Sequence, residues 1–141
     1  MKARLFDASS IILLAKKHPE KAPTTLTGEH ILDLTTYEIG NAIWKINKLV
    51  KKTDKPTAMG AIEQAYHLTA LMNIIKIQSL HELSATMENA FDHSLTFYDS
   101  AYLTAADIHE STLVTEDKRL AEAAQEANIP TIDTDTLIKT T

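Results

Sequence analysis

The sequence contains no cysteine and only three glycines among its 141 residues. The absence of cysteine excludes disulfides, thiolate zinc sites and a cysteine nucleophile, and it is consistent with a reducing compartment. Because glycine occurs only at positions 28, 40 and 60, the chain has neither a glycine-rich phosphate loop nor the GxSxG turn of serine hydrolases. Any chemistry must therefore come from other side chains.

Paired histidines and long apolar runs are missing as well. The six histidines never recur at the three- or four-residue spacing that places two imidazoles on one helix face for a metal ion. The longest apolar run near the start, residues 11–15, is far shorter than the ~18–20 residues of a membrane span. We therefore expect a cytoplasmic chain without a membrane segment.

What the sequence does contain is an alternation of short apolar segments with longer helical patterns. This alternation is typical of βα units around a parallel sheet and predicts one α/β domain over residues 1–141, with three layers, α/β/α, and a central parallel sheet. Predicted strands cover 3–6, 31–34, 74–77, 112–115 and, as an edge strand with proline, 129–132. Predicted helices cover 9–17, 36–52, 58–72, 80–91, 98–108 and 118–127.

Four acidic residues follow predicted strands or begin predicted helices, namely Asp7, Glu38, Asp99 and Asp117. The carboxyl ends of parallel strands share one edge of the sheet, where ligands bind, so these distant residues can meet in one cleft. Each of them can instead be a helix cap, since Thr35 precedes Glu38, and Thr96 precedes Asp99, at capping-box spacing. The functional interpretation therefore depends on all four acids together.

A cluster of four carboxylates repels itself unless a cation neutralises it or pKa values shift strongly. Mg²⁺ or Mn²⁺ is the expected cation, because both prefer oxygen ligands, and such a site suits hydrolysis of phosphodiester bonds. Asn41 lies on the helix face of Glu38 and is a candidate donor, as are Thr115 and, less strongly, Ser9. These hydroxyls can equally satisfy backbone donors at helix starts.

Charge is distributed unevenly along the chain. The net charge is −5, yet residues 45–55 contain five lysines against one aspartate, a local charge of +4 that leaves −9 elsewhere. This segment can follow a phosphate backbone, or its lysines can simply be solvated at the end of a helix. Trp44 is expected to pack on its helix face, and an exposed apolar edge of helices 36–52 and 58–72 would suit a partner or a second copy.

The sequence resembles the PIN-domain family, especially the VapC-type toxins of toxin–antitoxin pairs. The matching segments are LFDASSIILL, YEIGNAIWK, LTFYDSAYLTAA and LVTEDKRLAEAA, whose order and spacing cover nearly the whole chain. The resemblance implies a Mg²⁺- or Mn²⁺-dependent endoribonuclease that acts on RNA, is inhibited by a cognate antitoxin and forms a homodimer. By motif, the catalytic acids would be Asp7, Glu38, Asp99 and Asp117. Asp7, Asp99 and Asp117 would hold the metal, Glu38 would ligate it or orient water, and Asn41 and Thr115 would assist.

Two other functions are compatible with the same residues. The first is a non-catalytic PIN-like module that binds a protein through its apolar helical stripe, and the absence of saturable Mn²⁺ binding would favour it. The second is a receiver-like phosphoacceptor domain, which also gathers aspartates and Mg²⁺ at strand ends. Such a domain needs paired acids after one strand, whereas Asp7 stands alone after the first strand.

Overall fold

The computed structural model describes residues 2–141 and contains a five-stranded, all-parallel sheet in the order β3-β2-β1-β4-β5. The central strand β1 pairs with β4 in the register Leu5 to Leu113. The expected parallel sheet is confirmed, and so is the edge position of the last strand. The strands are β1 (Arg4–Phe6), β2 (His30–Leu32), β3 (Asn73–Ile75), β4 (Thr112–Val114) and β5 (Thr131–Ile132).

Helices cover both faces of the sheet. They are α1 (Ala8–Lys17), α2 (Ala22–Leu26), α3 (Asp33–Trp44), α4 (Lys55–Thr69), α5 (Leu80–His93), α6 (Phe97–Ile108), α7 (Lys118–Glu126) and α8 (Thr134–Lys139). Across the part of the chain that the structure describes, no helix is long and apolar enough to cross a membrane. Helices on both faces of one sheet give the three layers expected from the sequence.

Neighbouring strand residues point to opposite faces of the sheet, and each face has its own apolar core. Leu5 and Leu113 belong to the core beneath α6 and α7, which we call core A. Phe6 and Val114, one residue further along, belong to the core beneath α1, α2, α3, α4 and α8, which we call core B. All four side chains have no exposed surface, so the period-two apolar pattern of the strands holds the three layers together.

The structure differs from the sequence-based prediction between residues 19 and 57. Residues 19–30, for which the sequence predicts neither a helix nor a strand, contain the short helix α2, in which Pro23 lies in the first turn, a position that proline tolerates. Within the predicted helix 36–52, the α-helical part α3 ends at Trp44, and the next residues, Lys45–Val50, form one π-helical segment. Helix α4 begins at Lys55 and not at residue 58 as predicted, because the Asp54 side chain caps it by accepting a hydrogen bond from the Thr57 amide.

Two smaller predictions also need correction. Trp44 does not pack into a core, since 53% of its surface is exposed. Helix α8 was not expected from the sequence; it begins where the Asp133 side chain accepts a hydrogen bond from the Thr136 amide, over 2.7 Å. Its Leu137 and Ile138 are buried in core B, so packing rather than helix length stabilises this six-residue segment.

Candidate active site

A cleft of about 800 Å³ opens over the carboxyl edge of the sheet, beside β1 and β4. The strand order reverses between these two strands, and such a point is where open α/β sheets bind ligands. The side chains that line the cleft include all four predicted acids and Asn41: Asp7, Ala8, Ser9, Ile12, Leu34, Tyr37, Glu38, Asn41, Ala42, Lys45, Tyr98, Asp99, Tyr102 and Asp117.

Asp7 ends β1 and caps α1, and it is the most buried of the four acids, with 5% of its surface exposed. Its Oδ1 accepts hydrogen bonds from the Ser9 hydroxyl, over 2.7 Å, and from the Ser10 amide, over 2.9 Å, while its Oδ2 accepts from Thr115. Burial raises the pKa of Asp7 above its usual range, and these hydrogen bonds offset part of the rise. The carboxyl group is therefore held in one orientation.

Asp117 follows β4 and caps α7. Its Oδ1 accepts from the amides of Arg119, over 2.9 Å, and Leu120, over 3.3 Å, so the capping role considered for this residue is present. The Thr115 hydroxyl joins it to Asp7, because it donates to Asp7 and accepts from the Asp117 amide over 3.0 Å. Thr115 is buried below the cleft and contacts its acids rather than lining it.

Glu38 lies on α3 and is half-buried. The Tyr102 hydroxyl of α6 donates to Glu38 Oε1 over 2.6 Å and lies 2.7 Å from the Thr35 hydroxyl. Burial raises the pKa of Glu38, the Tyr102 hydrogen bond opposes this, and the negative charges of Asp99 and Asp7 raise it further. Thr35 is the third residue of α3 and not its N-cap. Its hydroxyl instead accepts from the Leu32 amide, one turn back, over 3.0 Å.

Asp99 lies in the first turn of α6, where its amide donates to the capping Thr96 hydroxyl over 3.1 Å. Burial raises the pKa of its carboxyl, and the charge of Asp117 adds to the rise. Together with the influence of Asp7 and Asp99 on Glu38, these repulsions link all four acids. The carboxylates are close enough to sense one another's charge in one low-dielectric cleft.

The chemistry of the donors decides which cation suits this cleft. Within residues 2–141, no three acidic or histidine side chains converge tightly enough to enclose a metal ion. Mg²⁺ keeps several waters and is usually held by one or two carboxylates plus substrate phosphates. A cleft lined by oxygen donors, with four acids around it, fits such a hydrated ion better than an ion held in an all-protein cage.

The sequence did not single out the aromatic lining of the cleft, whereas its basic lining residue belongs to the lysine-rich segment 45–55. Tyr37 and Tyr98 directly precede Glu38 and Asp99, and 78% and 60% of their surfaces are exposed. Lys45, the first residue of the π-helical segment, also lines the cleft. Tyr102 was missed because it lies in an apolar stretch typical of a core helix. Its spacing of three residues after Asp99 is the signal that places it on the same helix face.

The fold and the cleft define a class: three-layer α/β/α proteins with an acidic cleft at the switch point of a parallel sheet. The chain is 33% identical over 140 residues to exonuclease VapC9 of Pyrobaculum aerophilum, which covers 95% of this chain and 92% of that protein. It is 29% identical over 126 residues to ribonuclease VapC3 of the same organism, which covers 82% of this chain and 90% of that protein.

A solved structure is also similar to this fold. The crystal structure of PAE2754 from Pyrobaculum aerophilum superimposes with a TM-score of 0.82 at 29% identity and covers 99% of this chain and 94% of that one. No family model matches the sequence. The identity to VapC9 along nearly the whole chain nevertheless shows that the protein belongs to the VapC family of PIN-domain proteins.

Proposed function

We propose that the protein is a metal-dependent endoribonuclease that hydrolyses RNA phosphodiester bonds in the acidic cleft. The observation that supports this proposal is that four carboxylates, from α3, α6 and the ends of β1 and β4, line one cleft, where the charges of neighbouring acids raise the pKa values of Glu38 and Asp99. The relatives named ribonuclease and exonuclease point to nucleic acid as the substrate. A cluster of like charges is costly to fold, which is typical of a functional site.

In the proposed site, Asp7, Asp99 and Asp117 would hold Mg²⁺ or Mn²⁺, one or two of them directly and the rest through bound water. When bound, the ion supplies charge stabilisation for the phosphate and lowers the pKa of bound water. Glu38 would either ligate the ion or orient the attacking water toward phosphorus, and Asn41 would donate its amide to a phosphate oxygen. Thr115 and Ser9 keep the Asp7 carboxyl in place through their hydroxyl groups.

The rim of the cleft supports an RNA strand with unpaired bases. Within residues 2–141, Lys45 is the one cationic side chain that lines the cleft, and it begins the +4 segment 45–55. The exposed rings of Tyr37 and Tyr98 flank the acids, and base stacking on such rings contributes about 1–3 kcal/mol per base. We therefore expect Tyr37→Ala or Tyr98→Ala to raise KM for single-stranded RNA about tenfold or more, with a smaller effect on kcat.

The activity is tested with purified protein, labelled RNA and MgCl₂. Asp7→Asn keeps the size of the side chain but removes its charge, and we expect it to lower the cleavage rate at least about 100-fold. Asp133→Asn is the matched control, since Asp133 is also a helix cap but does not line the cleft. Equal activity of wild type and Asp7→Asn would refute the proposed site.

A circular RNA separates the two activities that the relatives' names suggest. An endonuclease opens a circle, whereas an exonuclease needs an end. We expect Mg²⁺-dependent linearisation of the circle, with no product in EDTA or with Asp7→Asn. Degradation of linear RNA together with an intact circle would show that the protein is an exonuclease.

An apolar surface on the helices of core B suits the antitoxin and homodimer partners that we propose for the chain. Large apolar side chains that are 38–70% exposed lie on α3, the π-helical segment and α4: Trp44, Leu49, Val50, Met59, Ile62 and Tyr66. Exposed apolar patches of this kind mark interaction sites. This surface also favours the second candidate function, a non-catalytic binding module, and Mn²⁺ calorimetry distinguishes the two because only the nuclease requires saturable binding.

A further inference from the structure

We propose that Tyr102 is a positioning residue that fixes the Glu38 carboxylate through a one-directional chain of hydrogen bonds from the backbone of β2. This inference rests on the proposed nuclease function of the cleft. It assigns a role to two buried side chains, Tyr102 and Thr35, that belong to neither the metal site nor the proposed RNA contacts. Both are nearly inaccessible to solvent, with exposures of 1% and 0%.

The hydrogen-bond chain has three links. The Leu32 amide lies 3.0 Å from the Thr35 hydroxyl oxygen, that oxygen lies 2.7 Å from the Tyr102 hydroxyl, and the Tyr102 hydroxyl lies 2.6 Å from Glu38 Oε1. The links join the end of β2, the first turn of α3 and the middle of α6. Residues of β2, α3 and α6 therefore act together to hold one carboxylate.

The two ends of the chain determine the direction of its middle link. A backbone amide can only donate, so Thr35 accepts from Leu32, and an ionised carboxylate can only accept, so Tyr102 donates to Glu38. Each hydroxyl has a single hydrogen, and Thr35 must therefore donate to Tyr102. In the reverse direction the Thr35 hydrogen would have no acceptor among residues 2–141, and a buried unpaired donor is destabilising.

The consequence lies at Glu38. Oε1 is engaged by a short hydrogen bond to a charged acceptor, the strong kind, while Oε2 has no hydrogen-bond partner among the described residues 2–141. Because Glu38 lines the cleft, the hydrogen-bond chain leaves the second carboxylate oxygen free for a water or an ion and fixes the direction in which that oxygen points. Buried partners that orient a ligating group in this way typically change activity or metal affinity about 10–100-fold when they are removed.

Tyr102→Phe tests this role because it removes the hydroxyl and keeps the buried ring. We expect kcat for RNA cleavage to fall about 10–100-fold with KM changed less than about twofold, and the Kd for Mn²⁺ to rise several-fold in calorimetry. Thr35→Ser should keep wild-type kcat and Thr35→Val should lose it. The matched control is Thr86→Val, which removes an equally buried hydroxyl that donates to the Glu82 carbonyl, over 2.8 Å, outside the cleft.

A double-mutant cycle separates positioning from a general packing role. In a Glu38→Gln background, we expect Tyr102→Phe to cause little further loss of kcat, because its effect acts through Glu38. Wild-type kcat and Mn²⁺ affinity in Tyr102→Phe, or an equal loss of kcat in both backgrounds, would overturn the inference.

Failure of the proposed function gives a different result. A wild-type protein that binds Mn²⁺ but cleaves no RNA would refute the nuclease, and an equal Kd for Mn²⁺ in wild type and Tyr102→Phe would then refute the positioning role independently. A wild-type protein that neither binds Mn²⁺ nor cleaves RNA would refute both.

Discussion

At the scale of single residues, the acids of the cleft are arranged at the expense of stability. Asp7, Glu38 and Asp99 all have pKa values raised by burial, so folding takes these carboxylates out of water without replacing all of their hydration. The acids that only cap helices behave in the opposite way. Hydrogen bonds from Thr136 lower the pKa of Asp133. The direction of the pKa shift therefore separates Asp7, Glu38 and Asp99 from an ordinary cap such as Asp133.

Asp99→Asn should consequently stabilise the protein at neutral pH. The folded state binds the Asp99 proton more tightly than the unfolded chain, so ionisation destabilises the fold fully above the folded pKa and not at all below the ordinary aspartate pKa of 3.8. We expect the melting temperature to rise by about 1–4 °C at a pH near 7, and the gain to shrink as the pH falls toward 3.8. Thermal denaturation followed by circular dichroism measures both.

Asp133→Asn is the control of opposite sign. The lowered pKa of Asp133 gives stability that is present above the ordinary aspartate pKa of 3.8 and lost as the pH falls through the folded pKa. This variant should melt below wild type at neutral pH, with a difference that disappears in acid. Two variants that shift the melting temperature in the same direction would contradict the assignment of Asp99 to a repulsive cluster.

At the scale of elements, strands and long helices follow from local patterns, whereas the region after α3 does not. The apolar strand segments and the helices around Asp99 and Asp117 lie within a few residues of their predicted bounds, because their cores need the same side chains that create the pattern. The π-helical segment Lys45–Val50 has no such pattern, since none of its residues is buried. Helix α8 was missed because a six-residue helix depends on tertiary packing.

The residues of the site also divide into those that local patterns predict and those that depend on tertiary contacts. Asp7, Asp99 and Asp117 were predictable because each lies at a strand end or helix start, where the topology brings residues together, whereas Glu38 lies in the second turn of α3, which begins earlier than predicted. Tyr102 and Thr35 were not, because their roles depend on a contact between residues 67 positions apart that no local pattern encodes. The sequence also cannot show that one carboxylate, such as Asp117, both caps a helix and lines the cleft.

The basic segment makes an element-scale prediction for RNA binding. Lys48, Lys51 and Lys52 are exposed and continue the chain from Lys45 at the cleft rim. Replacing these three lysines with glutamine should weaken RNA binding and reduce the slope of log K against log salt by about 2, since each phosphate contact on a single strand contributes ~0.7. Fluorescence anisotropy at several salt concentrations measures the slope.

Lys21→Gln is the control for that experiment. Lys21 is exposed near the start of α2, beyond the far end of α1, and does not line the cleft. The Lys21→Gln variant should leave both the affinity for RNA and the slope of log K against log salt unchanged. A triple variant with the slope of wild type would show that these lysines are only solvated.

At the scale of the whole molecule, the two cores share one sheet, and this arrangement couples them. Leu113 and Val114 are neighbours on β4, yet Leu113 belongs to core A and Val114 to core B. Unpairing two neighbouring strand residues therefore removes apolar contacts from both faces. We expect residues 2–141 to unfold as one cooperative unit, in agreement with the single domain predicted from the sequence.

Leu113→Ala tests this coupling. The side chain is fully buried, and its truncation should lower the free energy of unfolding by about 2–5 kcal/mol. If the cores are coupled, hydrogen exchange should speed up in α1 of core B as much as in α6 of core A, because the slowest amides of both exchange through global unfolding. Glu20→Ala, at an exposed position, should change stability by less than about 0.5 kcal/mol. Faster exchange in α6 alone would show instead that the two faces of the sheet unfold separately. In that case α6, which carries Asp99, would unfold before α1, which Asp7 caps.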